Sequence, residues 1–111
     1  MLSNLKSQMR KGLLEYCILS IISRDEAYAS DILEILKTSQ LLVVEGTLYP
    51  LLTRMKNEGL LSYRWQESTG GPPRKYYTLT PDGHQLLLQL HHEWQTISTA
   101  ISQITSNIPQ S

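Results

Sequence analysis

A mostly α-helical chain with one small β-hairpin is the fold class that the sequence predicts, and three observations lead there. Apolar residues recur at helical spacing from about Leu5 to Met55, the period switches to two between Leu61 and Leu79, and a seam of large apolar residues at alternating spacings of three and four closes the chain. At 111 residues there is room for one core, so a single domain over residues 1–80 with a helical appendage over residues 81–108 is expected.

The first element spans about Leu5 to Ser23. Its second half is apolar on nearly every side, through Leu13, Leu14, Tyr16, Cys17, Ile18, Leu19, Ile21 and Ile22, and a helix apolar all round must be buried all round. A chain this small covers one face, so the other is expected to meet a partner molecule. RDEAYASD then reads as a turn into a second, short helix with the stripe Ile32, Leu33, Ile35 and Leu36. In the third helix Leu48, Leu51, Leu52 and Met55 follow i, i+3, i+4, i+7, and Gly59 stands where a left-handed C-terminal cap belongs. Gly46, Pro50, Thr53, Arg54 and Asn57 fall opposite that stripe, with Thr47 and Tyr49 on its flanks. That face is polar, uncharged in the middle and basic at one edge. Proline belongs in the first helical turn, so Pro50 places the helix start near Thr47, as N-cap.

Leu61, Tyr63 and Trp65 alternate with Ser62, Arg64 and Gln66 as a half-buried strand, and after STGGPP the run Tyr76 to Leu79 reads as its hairpin partner. Gly-Gly-Pro-Pro is longer than a two-residue turn, so the hairpin should have a projecting, mobile tip with Arg74 and Lys75 on it. Thr80-Pro81-Asp82 opens the last helix with a capping hydroxyl, a proline at the first position and an acid in the first turn. Leu87, Leu90, Trp94, Ile97, Ile101, Ile104 and Ile108 then form an a/d seam that Pro109 ends. A helix of about 25 residues is about 38 Å long, more than this domain can cover. The seam, from Leu87 and Leu90 through Trp94, Ile97, Ile101 and Ile104, is therefore expected to meet a second copy of the chain.

Ten Lys and Arg balance ten Asp and Glu, which excludes the bulk positive field of a histone-like protein. Position matters more than total: from Gly46 to Pro81 five cations (Arg54, Lys56, Arg64, Arg74, Lys75) face two acids (Glu58, Glu67). Cys17 is the only cysteine, so no internal disulfide can form, and it reads as a small inert hydrophobe. No GxxxxGK, HExxH, CxxC or Ser-His-Asp pattern occurs, so no enzyme, cofactor or metal site is expected. His84 and His91 could share a helix face but lack ligand companions; with His92 they read as solvent-facing or dimer-flanking. No apolar run approaches the ~18 residues of a membrane span, and the start lacks a signal-like apolar region, so a cytoplasmic location is expected.

Three helices followed by a hairpin with a basic pair suit a winged helix-turn-helix that binds double-stranded DNA. The second of the paired helices would present its polar face, with Thr53, to base edges in the major groove, while Arg74 and Lys75 hold phosphates or enter the minor groove.

EGTLYPLLTRMKNEGLL (Glu45 to Leu61) followed by GPPRKYYTLTPDG (Gly71 to Gly83) closely resembles the PadR family of bacterial winged-helix transcriptional regulators. AYASDILEIL (Ala27 to Leu36) agrees with the family's preceding helix, and the likeness covers nearly the whole chain. The single last helix is similar to the short-tailed branch. The resemblance implies a sequence-specific DNA-binding regulator, a repressor acting as a homodimer on a two-fold symmetric operator, with the first and last helices at the interface. By position it puts Thr47, Leu48 and Tyr49 at the start of the recognition helix, Arg54 on its exposed face, and Arg74 and Lys75 in the wing. It also starts that helix near Glu45, two residues before the N-cap that Pro50 implies. Some similar members bind flat aromatic compounds against a Trp of the last helix, which makes Trp94 the candidate platform for a small aromatic effector; Ser98 stands where drug-binding relatives carry an acid. The alternative, favoured by zero net charge, is a winged-helix protein-interaction module without DNA binding, and the salt dependence of any DNA complex separates the two.

Overall fold

The computed structural model describes residues 1–41 and 45–109, with α1 (Leu2–Lys11), α2 (Leu13–Arg24), β1 (Ala27–Tyr28), α3 (Ala29–Thr38), α4 (Glu45–Asn57), β2 (Leu61–Ser68), β3 (Gly71–Leu79) and α5 (Pro81–Thr105). The strands form one antiparallel sheet in the order β1-β3-β2. The expected first helix is thus two, interrupted at Gly12, which itself keeps helical dihedrals (φ −79, ψ −14). Ile18, Leu19, Ile21 and Ile22 of α2 are buried, and Leu13, Leu14, Tyr16 and Cys17 are half-buried, so the chain covers more of this helix than its composition suggests. It does so because α2 lies at the centre, touching α1, α3, β3 and α5. Burial pushes the Cys17 thiol up, which keeps it protonated and unreactive.

The core joins Ile32, Leu33 and Leu36 of α3, Leu48, Leu52 and Met55 of α4, Leu61 and Tyr77 of the sheet, and Leu87 of α5 to the α2 residues. Ile35, placed in the apolar stripe by spacing, is 40% exposed. The segment read as a plain turn contains β1, whose Ala27 and Tyr28 pair with Tyr77 and Tyr76. Two residues are too short for a periodic signal, and only pairing with β3 makes them a strand.

One helix start differs from the expectation that Pro50 sets. Helix α4 includes Glu45 and Gly46, so Thr47 lies inside the helix rather than at its N-cap, and Pro50 is interior. The hydrogen bond that Pro50 cannot make would run to the Gly46 carbonyl. Both residues are exposed, so water can take that carbonyl and the helix continues. At the other end Gly59 has φ +79, with Leu60 N–H donating to Met55 O and Gly59 N–H to Lys56 O, a Schellman cap.

The hairpin turn is Thr69-Gly70, two residues long with Gly70 at φ +82, and Ser68 pairs directly with Gly71. Gly71, Pro72 and Pro73 extend β3 instead of forming a long connection. Arg74 and Lys75 therefore stand opposite Gln66 and Trp65, back along the hairpin and not at its tip. Trp65, expected to face inward, is 61% exposed, because beyond Tyr63 the hairpin has outrun the core it alternates against.

Thr80 caps α5 as expected: its hydroxyl accepts from Gly83 N–H at 3.0 Å and donates to the Gly59 carbonyl at 2.6 Å, with Pro81 in the first turn. Thr80→Ala should lower stability by about 1 kcal/mol. A shift in the urea midpoint at unchanged slope is the check. Helix α5 stops at Thr105, so Ile108 lies beyond it and the seam ends one position earlier than expected. No helix among the described residues is long and apolar enough to cross a membrane.

Candidate nucleic-acid interface

Helix α4 shows Gly46, Thr47, Tyr49, Pro50, Thr53, Arg54 and Asn57 to solvent. Leu48, assigned to the start of the reading surface by position, is fully buried with Leu52 and Met55, so it anchors the helix from within and reaches no base. At about 100° per residue the exposed positions divide into a crest (Gly46, Pro50, Thr53, Asn57) and two flanks. Tyr49 lies on one flank and Thr47 with Arg54 on the other.

The Tyr49 flank opens on a cleft of about 460 Å³ that also takes in Thr53, Ser30 and Tyr28, with Trp65, Arg74 and Lys75 from the hairpin. The cleft exists because β1 ends at Tyr28: toward the turn, β3 keeps β2 on one side and has no described strand on the other. The start of α3 and the side of α4 face that notch.

Cations and rings alternate around it. Arg74 stands 5.1 Å from the Tyr28 ring, Tyr28 stacks on Tyr76 at 3.8 Å, and Arg64 lies 4.8 Å from Tyr76 on the far side. On the other face of the strand Lys75 lies 4.5 Å from Tyr63 and 5.2 Å from Trp65, and Lys56 joins Tyr63 at 5.6 Å. An aromatic face positions a long cationic side chain without cancelling its charge. An acid does cancel it, and here the basic residues separate. Arg54 is bonded to both Glu15 of α2 and Glu58, and Arg64 to Glu26 at 2.8 Å. The Glu15 and Glu58 hydrogen bonds push the Arg54 guanidinium further up, and the Glu26 bond does the same for Arg64. Among the described residues Lys56, Arg74 and Lys75 have no acidic partner within ion-pair distance, so their charge is available to phosphate.

The structure thus brings Tyr49, Thr53, Arg74 and Lys75 to one cleft and leaves Arg54 tied to α2 on the opposite flank. Sequence reasoning misses Tyr28, Ser30, Lys56 and Trp65. The interleaving of rings and cations at Tyr63, Trp65, Arg74 to Tyr77 is a signal that could reveal part of this set; Tyr28 and Ser30 need the β1 pairing.

Helix α5 runs on past Leu90, in a molecule whose longest dimension is 56 Å. Leu87 is buried and Leu90 half-buried, but Trp94 is 39%, Ile97 49%, Ile101 51% and Ile104 83% exposed. The junction is held by Tyr16 of α2, whose hydroxyl lies 2.5 Å from His91 Nδ1, while Gln95 lies 3.3 Å from His91 Nε2. His91 is thus engaged on both nitrogens.

Comparison with known proteins is consistent with this geometry. Residues 18–89 match the model of the transcriptional regulator PadR-like family. A PadR-like transcription factor of Bacteroides fragilis is 57% identical over 91% of this chain and 98% of its own, with a TM-score of 0.76. A PadR-like transcriptional regulator of Bacillus cereus is 39% identical over 92% of this chain and 100% of its own, with a TM-score of 0.82. Bacillus subtilis PadR, solved in complex with operator DNA, is 29% identical over 75% of this chain and 46% of its own, with a TM-score of 0.63.

Proposed function

The chain belongs to the PadR-like family of transcriptional regulators, and from that premise we propose that it acts as a homodimeric repressor on a two-fold symmetric operator. One observation carries the DNA-binding part: the polar crest of α4 is exposed beside Arg74 and Lys75, whose charges are oriented by rings and cancelled by no described acid. Residues 1–80 read DNA, with Tyr49 and Thr53 at base edges and Arg74 and Lys75 on one phosphate strand. Residues 81–108 pair two copies, setting the half-sites about 34–36 Å apart.

The test is fluorescence anisotropy on a labelled fragment from the gene's own upstream region, at several salt concentrations, with scrambled DNA as control. Arg74→Ala should weaken binding to both DNAs alike and lower the salt slope by about 0.9 for each phosphate no longer neutralised. Tyr49→Ala should mainly cut discrimination between them, by about 1–3 kcal/mol. Equal loss of specificity from both substitutions contradicts this division of roles. Salt-independent binding, or none against a genome-derived pool, favours the protein-interaction module.

Trp94 is the platform on which a flat aromatic effector would stack between the paired α5 helices. In a Trp65→Phe background Trp94 is the sole tryptophan. Quenching of its emission by such a compound, with release of operator DNA, would support the assignment.

A further inference from the structure

We propose that the C-terminal end of α1, through Arg10 and Lys11, is a second phosphate-binding element that grips the DNA strand on the side of α4 away from the hairpin. The inference rests on the reading of α4 as the recognition helix and adds residues that neither its polar face nor the hairpin supplies.

Arg10 and Lys11 share a cleft of about 370 Å³ with Ser7, Gln8, Leu14 and Thr47 of α4. Thr47 and Tyr49 stand about 200° apart around that helix. The hairpin cations stand on the Tyr49 side, so Arg10 and Lys11 occupy the opposite flank. A helix with its side chains is about 10–12 Å across and the major groove about 12 Å wide, so a helix seated in it has a phosphate strand on each side. The hairpin can reach only one of them.

From Met1 to Leu14 the chain contains Lys6, Arg10 and Lys11 and no acid. The first acid, Glu15, is bonded to Arg54. That bond also clarifies Arg54 itself: it is the α4 cation on this flank, and with its charge cancelled the flank depends on α1 for positive potential. Among the described residues Arg10 and Lys11 have no acidic partner within ion-pair distance.

Helix α1 has two separable faces. Leu2, Leu5 and Met9, 66%, 49% and 74% exposed, recur at spacings of three and four and define an apolar ridge. Ser7 and Lys11 lie on the opposite side of the helix, and Arg10 lies between the two faces. Pairing of the ridge with a second copy leaves the basic side open to DNA, so one helix can serve both purposes.

The test uses the full-length protein and the same salt-dependent anisotropy. Arg10→Ala with Lys11→Ala should lower the salt slope of the dimer by about 2–4, since two cations are removed from each of two subunits. The affinity should fall by the same factor on operator and scrambled DNA, because phosphate contacts carry no sequence information. Arg24→Ala, removing a cation at the far end of α2, about 17 Å along that helix, should leave the slope unchanged. Arg10→Lys alone should retain the wild-type slope, which separates charge from any structural effect of shortening the side chain. A double variant that elutes as the wild-type dimer, keeps its helical circular dichroism and shows the wild-type slope would overturn the proposal, while a reduced slope in Arg74→Ala in that same experiment would leave the regulator reading standing. If the wild type itself binds DNA without salt dependence, both readings fall together.

Discussion

Gly83→Ala is expected to destabilise the fold by about 3 kcal/mol, against the usual rule that alanine is about 1 kcal/mol better than glycine inside a helix. The sign reverses because Gly83 is buried where α5 meets the end of α4. A Cβ there would stand 3.0 Å from the Leu60 carbonyl carbon and closer still to its oxygen. That oxygen already accepts from Thr80 N–H at 3.1 Å, and Thr80 in turn holds the Gly59 carbonyl. The added methyl therefore meets backbone on one side and a capped helix start on the other, and neither can yield alone. At about 4–8 °C per kcal/mol for a domain of this size, the melting temperature at fixed protein concentration should fall by more than about 10 °C. A more stable Gly83→Ala protein would mean that α5 does not approach Leu60 this closely. The geometry also has a functional side: this contact sets the angle at which α5 leaves the body, and with it, under the proposed pairing through α5, the spacing of the two reading heads.

The second large effect is expected from Ile97→Asp combined with Ile101→Asp. Both side chains are about half exposed in the single chain, so the substitutions remove little from its own core, and circular dichroism should remain helical. Two copies pairing along the seam would bury these residues, and a pair of carboxylates there would be desolvated without partners. The variant should sediment as a monomer. Operator affinity should drop about 10²–10⁴-fold, since a second half-site bound through a linked partner gains an effective concentration in the millimolar range, and the monomer forfeits it. An unaltered dimer would place the interface elsewhere, with the exposed α1 ridge of Leu2, Leu5 and Met9 the next surface to test. The same variant tests the effector site, because a stacking platform on Trp94 needs the opposing helix.

The corrections in the structure share a cause. Helical stripes are legible wherever a helix lies on its own core: Leu48, Leu52 and Met55 are all fully buried. The positional assignment of Leu48 to DNA fails for that same reason, since a residue on the buried stripe cannot also be on the reading face. Trp65 departs from expectation for the converse reason: alternation predicts which side of a strand a residue takes, and only the extent of the core decides whether that side is covered. The hairpin turn is misleading in sequence because two glycines and two prolines announce irregular backbone, whereas Ser68 paired with Gly71 and Gly70 at positive φ let a tight turn form and the prolines ride the strand.

Sequence alone carries the helices before the hairpin, though not the break at Gly12, together with the hairpin, the Gly59 and Thr80 caps and the seam of α5. Each is a local or periodic property, set by backbone preference and by which side chains must leave water. Which cations remain free is a property of the folded chain. Arg54 has Glu58 four residues on, a pairing that spacing shows, but Glu15, 39 positions away, reaches it only in the fold, while the Tyr28 ring steadies Arg74 and leaves its charge intact. Electrostatic pairing depends on distance through space, and of the two acids on Arg54 only Glu58, at i,i+4, is encoded in local spacing.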